Sequence, residues 1–152
     1  MKTSAIALSV VSTLLCATAA VAHHSFSMFD PSQEIVVKGT VARWAYNSPH
    51  TFMMIQDEGG KLWAFEGAAP PALLARAPAI SGDTFKKGQT VTVIVCPLRD
   101  GRNGGAAGLF FTEDGTVYNP SDAGCSANQR IKEWTEWLKA GHKSKAEAEA
   151  AK

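Results

Sequence analysis

The stretch "EIVVKGTVARW" (34–44) decides the fold. It is rich in β-branched residues and alternates loosely between apolar and polar, the pattern of a strand with one face in a core. Gly39 inside it predicts a bulge or a strong bend. Downstream, "YNSPH" (46–50) is turn chemistry. "TFMMIQD" (51–57) reads as a second strand, with Phe52 and Met54 on one face and Met53 and Ile55 on the other. "DEGGK" (57–61) predicts a hairpin turn into a third strand, "LWAFEG" (62–67). "AAPPALLARA" (68–77) follows as a short helix, its proline where a helix tolerates a missing N–H, with Leu73 and Leu74 toward the body. "SGDTFKKGQ" (81–89) is a loop into strand four, "TVTVIVCPL" (90–98), and "RDGRNGGAAG" (99–108) is a glycine-rich connection. "LFFTEDGTVY" (109–118) holds strand five and, after the Asp114-Gly115 turn, a short return strand. Three strands, a helix and two strands is the order of an OB-type barrel. The expected fold is mainly β: a small OB-like five-stranded β-barrel, its interior filled by side chains, with a short helix between strands 3 and 4 and a C-terminal helix.

The flanks differ from this core. "NPSDAGCSANQR" (119–130) is a loop, and a helix is expected over 127–141, with Ile131, Trp134 and Leu138 on one face, Trp137 beside them and Gly141 as its stop. Residues 142–152 read as a solvated tail, disordered or a frayed helix. At the other end, Lys2 precedes an uncharged apolar run from Ala5 to Ala22 that closes on Ala20-Val21-Ala22, an A-x-A processing site. A retained membrane anchor is the competing reading. Leu15 before Cys16 argues against a lipoprotein signal, which needs a small residue there. The expected organisation is a signal peptide over 1–22, the barrel over 23–126, the helix over 127–141 and the tail over 142–152. The expected location is periplasmic or secreted, with no stable membrane span after cleavage.

The chain carries 15 basic and 14 acidic side chains. Loss of Lys2 with the leader balances them, which argues against a broad nucleic-acid or anionic-membrane surface. Cys96 and Cys125 remain, an even pair that predicts a disulfide in an oxidising compartment. Two free thiols or a single metal-thiolate site are the alternatives.

Cleavage after Ala22 would make His23 the first residue of "HHSF". Its α-amine and ring Nδ1 could then chelate one metal ion, and a second imidazole would complete a T-shaped set of three nitrogens that suits Cu(II). His50, just after a turn, is the candidate third nitrogen, with His24 as a substitute. The competing reading makes His23 and His24 solvated and His50 a ring capping a turn. Cleavage one residue earlier would place His24 third, a different Cu(II) arrangement. Met28, Met53 and Met54 could offer sulfur to Cu(I), although methionines in strands are usually core packing.

These residues resemble a family of small exported bacterial proteins of unassigned function, catalogued as a domain of unknown function. The matching pieces are Ala22 to Phe26, Phe29-Asp30, Lys38 to Val41, Pro49-His50, Trp63 and Glu66, Leu73-Leu74, Lys86 to Val93, Asp100-Gly101 and Asp114-Gly115. Here the turn reads "NSPH" where the family has "NPH", and the cysteine pair and tryptophan helix look like additions. The resemblance implies an exported β-barrel domain and no particular reaction.

Nucleophile-elbow, HExxH, phosphate-loop and dinucleotide patterns do not occur. "GRNGGAAG" (101–108) lacks the lysine and strand–loop–helix context of a phosphate site. No spacing argument brings the carboxylates of Asp57 and Glu66 together. Trp44, Tyr46 and Trp63 could stack on a ring ligand, or join the core. Two functional readings therefore stand: a non-enzymatic exported binding protein, with copper at His23 and His50 as its specific form, and a metal-free adaptor or small-ligand module that meets an unidentified partner through the barrel face and the Trp134/Trp137 helix. An oxidative copper enzyme would need an open coordination position and a substrate surface, neither of which is legible.

Overall fold

The computed structural model describes residues 26–152; the expected leader, His23 and His24 lie outside the described residues. Strand β1 (Ile35–Ala45) is followed by β2 (Thr51–Asp57), β3 (Leu62–Gly67), helix α1 (Pro70–Leu74), β4 (Thr90–Pro97), β5 (Gly104–Thr112), the two-residue β6 (Val117–Tyr118), α2 (Ile131–Lys139) and α3 (Lys145–Ala150). Strand β1 pairs antiparallel with both β2 and β4, β2 with β3, and β4 with β5. A parallel seam joins Ala64, Phe65 and Glu66 of β3 to Gly104, Gly105 and Ala106 of β5 and closes a five-stranded barrel. This is the OB-type arrangement expected from the element order.

The apolar run of β4 serves two cores. Val91, Val93 and Val95 point into the barrel with Val37, Val41, Met53, Ile55, Phe65 and Phe110. Ile94 and Cys96 point outward, beneath Phe29, Leu109, Ala127, Trp134 and Trp137. A strand covered on both faces loses the polar alternation of a half-exposed one. Strand β1 does contain a bulge, but at Ala42 and not Gly39: Val41 pairs with Ile55 and Arg43 with Met54. The extra residue reverses the alternation, so Arg43 is exposed while Trp44 packs against the core. Gly39 answers a different need, since a Cβ there would run into the Gln56 carbonyl of the neighbouring strand.

Four further expectations are corrected. The glycine-rich segment after Asn103 is not a connection: Gly104 to Gly108 are strand, and buried. A Cβ on Gly104 would lie 2.5 Å from the Ala64 carbonyl oxygen, and one on Gly108 would lie 2.7 Å from the Ala127 Cβ. The small residues permit close backbone approach at the barrel's closure, a need that a loop-like composition disguises. In α1, Leu73 is buried but Leu74 is 54 % exposed, because the helix is a single turn with one inward position. In α2 the buried face is Trp134 and Trp137, with Ile131 exposed.

The fourth correction concerns the tail. Residues 142–152 are ordered and hold α3. Val36 N–H donates to the Lys143 carbonyl at 2.8 Å and Lys145 N–H to the Glu34 carbonyl at 2.9 Å, so this segment docks on the start of β1. Ser144 caps α3 by accepting from Glu147 N–H at 3.2 Å, while the Glu147 carboxylate accepts from Lys143 N–H at 2.7 Å. Ala148 is buried against the outer core.

Two cross-links fasten the C-terminal region to the barrel. Cys96 and Cys125 form a disulfide between β4 and the loop before α2. Glu34, fully buried, accepts from the Trp134 indole at 2.6 Å and pairs with the Arg130 guanidinium. Trp134 and Trp137 meet edge to face at 5.0 Å.

Candidate functional site

The turn at Tyr46–Pro49 includes a cis Ser48–Pro49 peptide and delivers His50 to the first position before β2. Across the sheet, the penultimate residue of β3 is Glu66, which pairs with Phe52 on one side and Ala106 on the other. The His50 Nδ1 lies 3.5 Å from Glu66 Oε1 and 3.6 Å from Asp122 Oδ2. The His50 and Glu66 side chains are only 17 % and 18 % exposed, and that of Asp122 is 38 % exposed.

Asp122 comes from the loop after β6 and is held by its neighbours. The Asn119 carboxamide oxygen accepts from Ser121 N–H at 3.1 Å and from the Ser121 hydroxyl at 2.6 Å. The Ser121 carbonyl accepts from Arg76 at 3.2 Å. Ala68 joins the two sides of the cluster: its N–H donates to the Pro120 carbonyl at 2.9 Å, and its carbonyl accepts from the Thr51 hydroxyl at 2.9 Å. Thr51 follows His50, so the histidine and the Asp122 loop share one backbone anchor.

The same loop meets the start of the described chain. A Cβ on Gly124 would lie 2.8 Å from the Phe29 ring and 3.2 Å from the Phe26 ring, and 2.7 Å from the Cβ of Ala106. Phe26 therefore sits over a residue two positions from Asp122.

The other sequence-derived candidates lie elsewhere. The Trp44 indole donates to the Ser81 carbonyl at 2.9 Å, and its ring packs edge-on against Phe85. The Tyr46 hydroxyl lies 3.0 Å from the carbonyls of both Pro70 and Ile80. Trp134 and Trp137 are buried under the outer core, so their rings form no outward face in this structure. Met53 is buried inside the barrel, Met54 is half-buried and Met28 is exposed. Trp63 stands at the opposite end of β3 from Glu66, where it lines an open cleft of about 440 Å³ with Arg99 and Arg102. Its indole donates to Asp57 at 2.8 Å, and that bond, with the Lys61 N–H, holds the Asp57 carboxyl below its usual range. Asp57 and Glu66 thus occupy opposite ends of the hairpin.

Among the described residues, no three His, Cys, Asp or Glu side chains form a group that could hold a metal ion. Both carboxylates of the cluster face the same ring nitrogen. Asp122 was missed from the sequence because "NPSD" carries only a turn signal, and its approach to His50 exists only once the barrel has closed.

The profile of a family of unknown function, DUF6152, matches residues 10–107. The chain belongs to this family. The DUF6152 match includes His50, Glu66 and Cys96 and ends within β5; Asp122, Cys125 and the C-terminal helices lie beyond it. Neither the curated proteins nor the solved structures contain a match. Among the described residues no helix is long and apolar enough to cross a membrane.

Proposed function

We propose that this DUF6152 protein is an exported copper-binding domain, non-enzymatic, in which the α-amine and imidazole of His23 and the imidazole of His50 take one Cu(II) ion. One observation carries the reading: Phe26 rests on Gly124, two residues from the Asp122 that contacts His50. His23 lies three residues before Phe26, and three residues span up to about 10 Å. In a chain beginning at His23, the terminal amine would then come near the His50 ring. Amine and imidazole nitrogens in a flat array suit Cu(II), and the described residues supply no competing cage. Export follows from the same premise, because only removal of residues 1–22 creates the amine.

The test uses the chain beginning at His23. Cu(II) titration followed by electron paramagnetic resonance should give one tight site with nitrogen hyperfine structure. His23→Ala, His50→Ala and acetylation of the terminal amine should each weaken it by at least an order of magnitude. Affinity should fall as pH drops below about 6.5, where protons compete for imidazole nitrogens. Equal, weak binding by the parent and all three altered forms would refute the proposal.

A further inference from the structure

We infer that the cleft beside Trp63 binds a small organic anion made of a flat apolar body and a carboxylate, the body resting on Trp63 and the carboxylate meeting Arg99 and Arg102. This site is independent of the copper reading, because Trp63 stands at the other end of β3 from Glu66. Its volume of about 440 Å³ falls within the roughly 300–1,000 Å³ of small-molecule sites. Trp44 and Tyr46 spend their polar atoms on backbone carbonyls, whereas Trp63 borders open space. The Trp63 ring stacks on Phe65 of the core, with centroids 6.3 Å apart and planes 18° from parallel. Its indole N–H is committed to Asp57 at 2.8 Å. A ring held at two points needs no ordering when a ligand arrives, and the half-buried Ile35 lines the cleft with it.

Arg99 and Arg102 lie between β4 and β5 and line the same cleft. Arg99 Nε donates to the Ser27 carbonyl at 3.1 Å, and Arg102 Nε donates to Asp100 at 2.8 Å, so both guanidinium groups are oriented. A guanidinium carries five N–H donors, which leaves Nη donors on each for a carboxylate. Asp30 is the one acid among the described residues that line the cleft. Its carboxylate already accepts from the Ser32 hydroxyl at 2.6 Å, the Ser32 N–H at 3.1 Å and the Gln33 carboxamide at 3.0 Å, and lies 3.7 Å from Arg99. That charge repels a dianion more than a monoanion, which favours a carboxylate over a phosphate. A neutral flat molecule would leave the guanidinium groups unused, and a small inorganic anion would leave Trp63 and Ile35 uncovered. A ring carboxylate uses both.

The test titrates ¹⁵N-labelled protein, expressed as the full chain, with 2-naphthoate, its neutral amide 2-naphthamide, 2-naphthyl phosphate and acetate. ¹H–¹⁵N correlation spectra follow the Trp63 indole N–H and the Nε–H signals of Arg99 and Arg102. 2-Naphthoate should shift all three signals saturably. 2-Naphthamide should bind about tenfold more weakly, the value of a charge-assisted hydrogen bond. Acetate should leave the Trp63 signal unmoved, and the phosphate should bind no tighter than the carboxylate. Added salt should weaken the carboxylate and not the amide. Arg99→Gln combined with Arg102→Gln should bring 2-naphthoate down to the affinity of the amide. Both side chains are more than half exposed, so the fold tolerates their loss. Arg102→Gln alone, which keeps the Arg99–Ser27 bond, should give an intermediate loss. No shift at Trp63 with 2-naphthoate, equal binding of acid and amide, or full affinity in the arginine variants would overturn the site. Tighter binding of the phosphate would overturn its preference for a single charge.

Discussion

Arg130→Met tests the buried link between the barrel and the C-terminal helices. Glu34 has no exposure to water through its side chain, and its carboxylate is met by the Arg130 guanidinium and the Trp134 indole N–H. Methionine keeps most of the arginine stem but removes the charge, leaving a buried carboxylate with one neutral donor. Breaking a buried pair from one side costs about 3–5 kcal/mol, because the remaining ion stays desolvated. That is a large share of the roughly 5–15 kcal/mol that holds a domain of this size folded. It corresponds to a fall in Tm on the order of 10–20 °C. Urea unfolding of parent and variant, followed by tryptophan fluorescence and by far-ultraviolet circular dichroism, measures it. Adding Glu34→Gln should recover part of the loss, since a neutral amide oxygen can still accept from Trp134 without burying a charge. The two substitutions should therefore be strongly non-additive. A loss below about 1 kcal/mol in Arg130→Met, the value of an exposed pair, would refute the reasoning, as would simple additivity in the double variant.

Reduction of Cys96–Cys125 should lower stability by about 3.6 kcal/mol on the chain-entropy account for a 29-residue separation; urea midpoints with and without a phosphine reductant measure this, and an unchanged midpoint would contradict it. Acid should destabilise the protein partly through Asp57, whose carboxyl is held low first by the Trp63 indole and then by the Lys61 N–H. A lowered folded-state pKa contributes stability that is fully present above the unfolded value of 3.8 and is lost as pH falls through the folded value. Asp57→Asn should accordingly flatten the loss of stability between about pH 5 and pH 2, leaving the residual slope of Asp30, Asp83, Asp100 and Asp114, which are also held low; an unaltered slope would count against the Trp63 bond.

Where the sequence was legible, one physical signal dominated. The β-branched density of "TVTVIVC" marks β4 although the strand is buried on both faces, and Asp114-Gly115 marks the turn into β6, with Gly115 at φ 85°. Where two requirements share one composition, the reading failed. Glycine and alanine at 104–108 resemble a flexible loop, yet here they are small because backbones must touch. The order of the tail had a local trace in the Ser144-Lys145-Ala146-Glu147 cap, but its docking depends on backbone partners at Glu34 and Val36 that no local pattern announces. His50 stood out as a lone histidine after a proline turn. Asp122 did not, because a carboxylate in a turn is ordinary until the fold gives it a neighbour.

The misread segment is also the one that assembles the candidate site. Parallel closure pairs Ala106 with Glu66, so β5 fixes one of the carboxylates that face His50. The outward Cβ of Ala106 meets Gly124, which brings down the loop carrying Asp122. On that same glycine rest Phe26 and Phe29, at the start of the described chain. A Cβ at position 124 has no room beside the Ala106 methyl, so glycine there lets the Asp122 loop and Phe26 pack against the seam. The small residues at 104–108 serve barrel closure and site assembly through one close contact, which ties the geometry around His50 to the most constrained part of the fold.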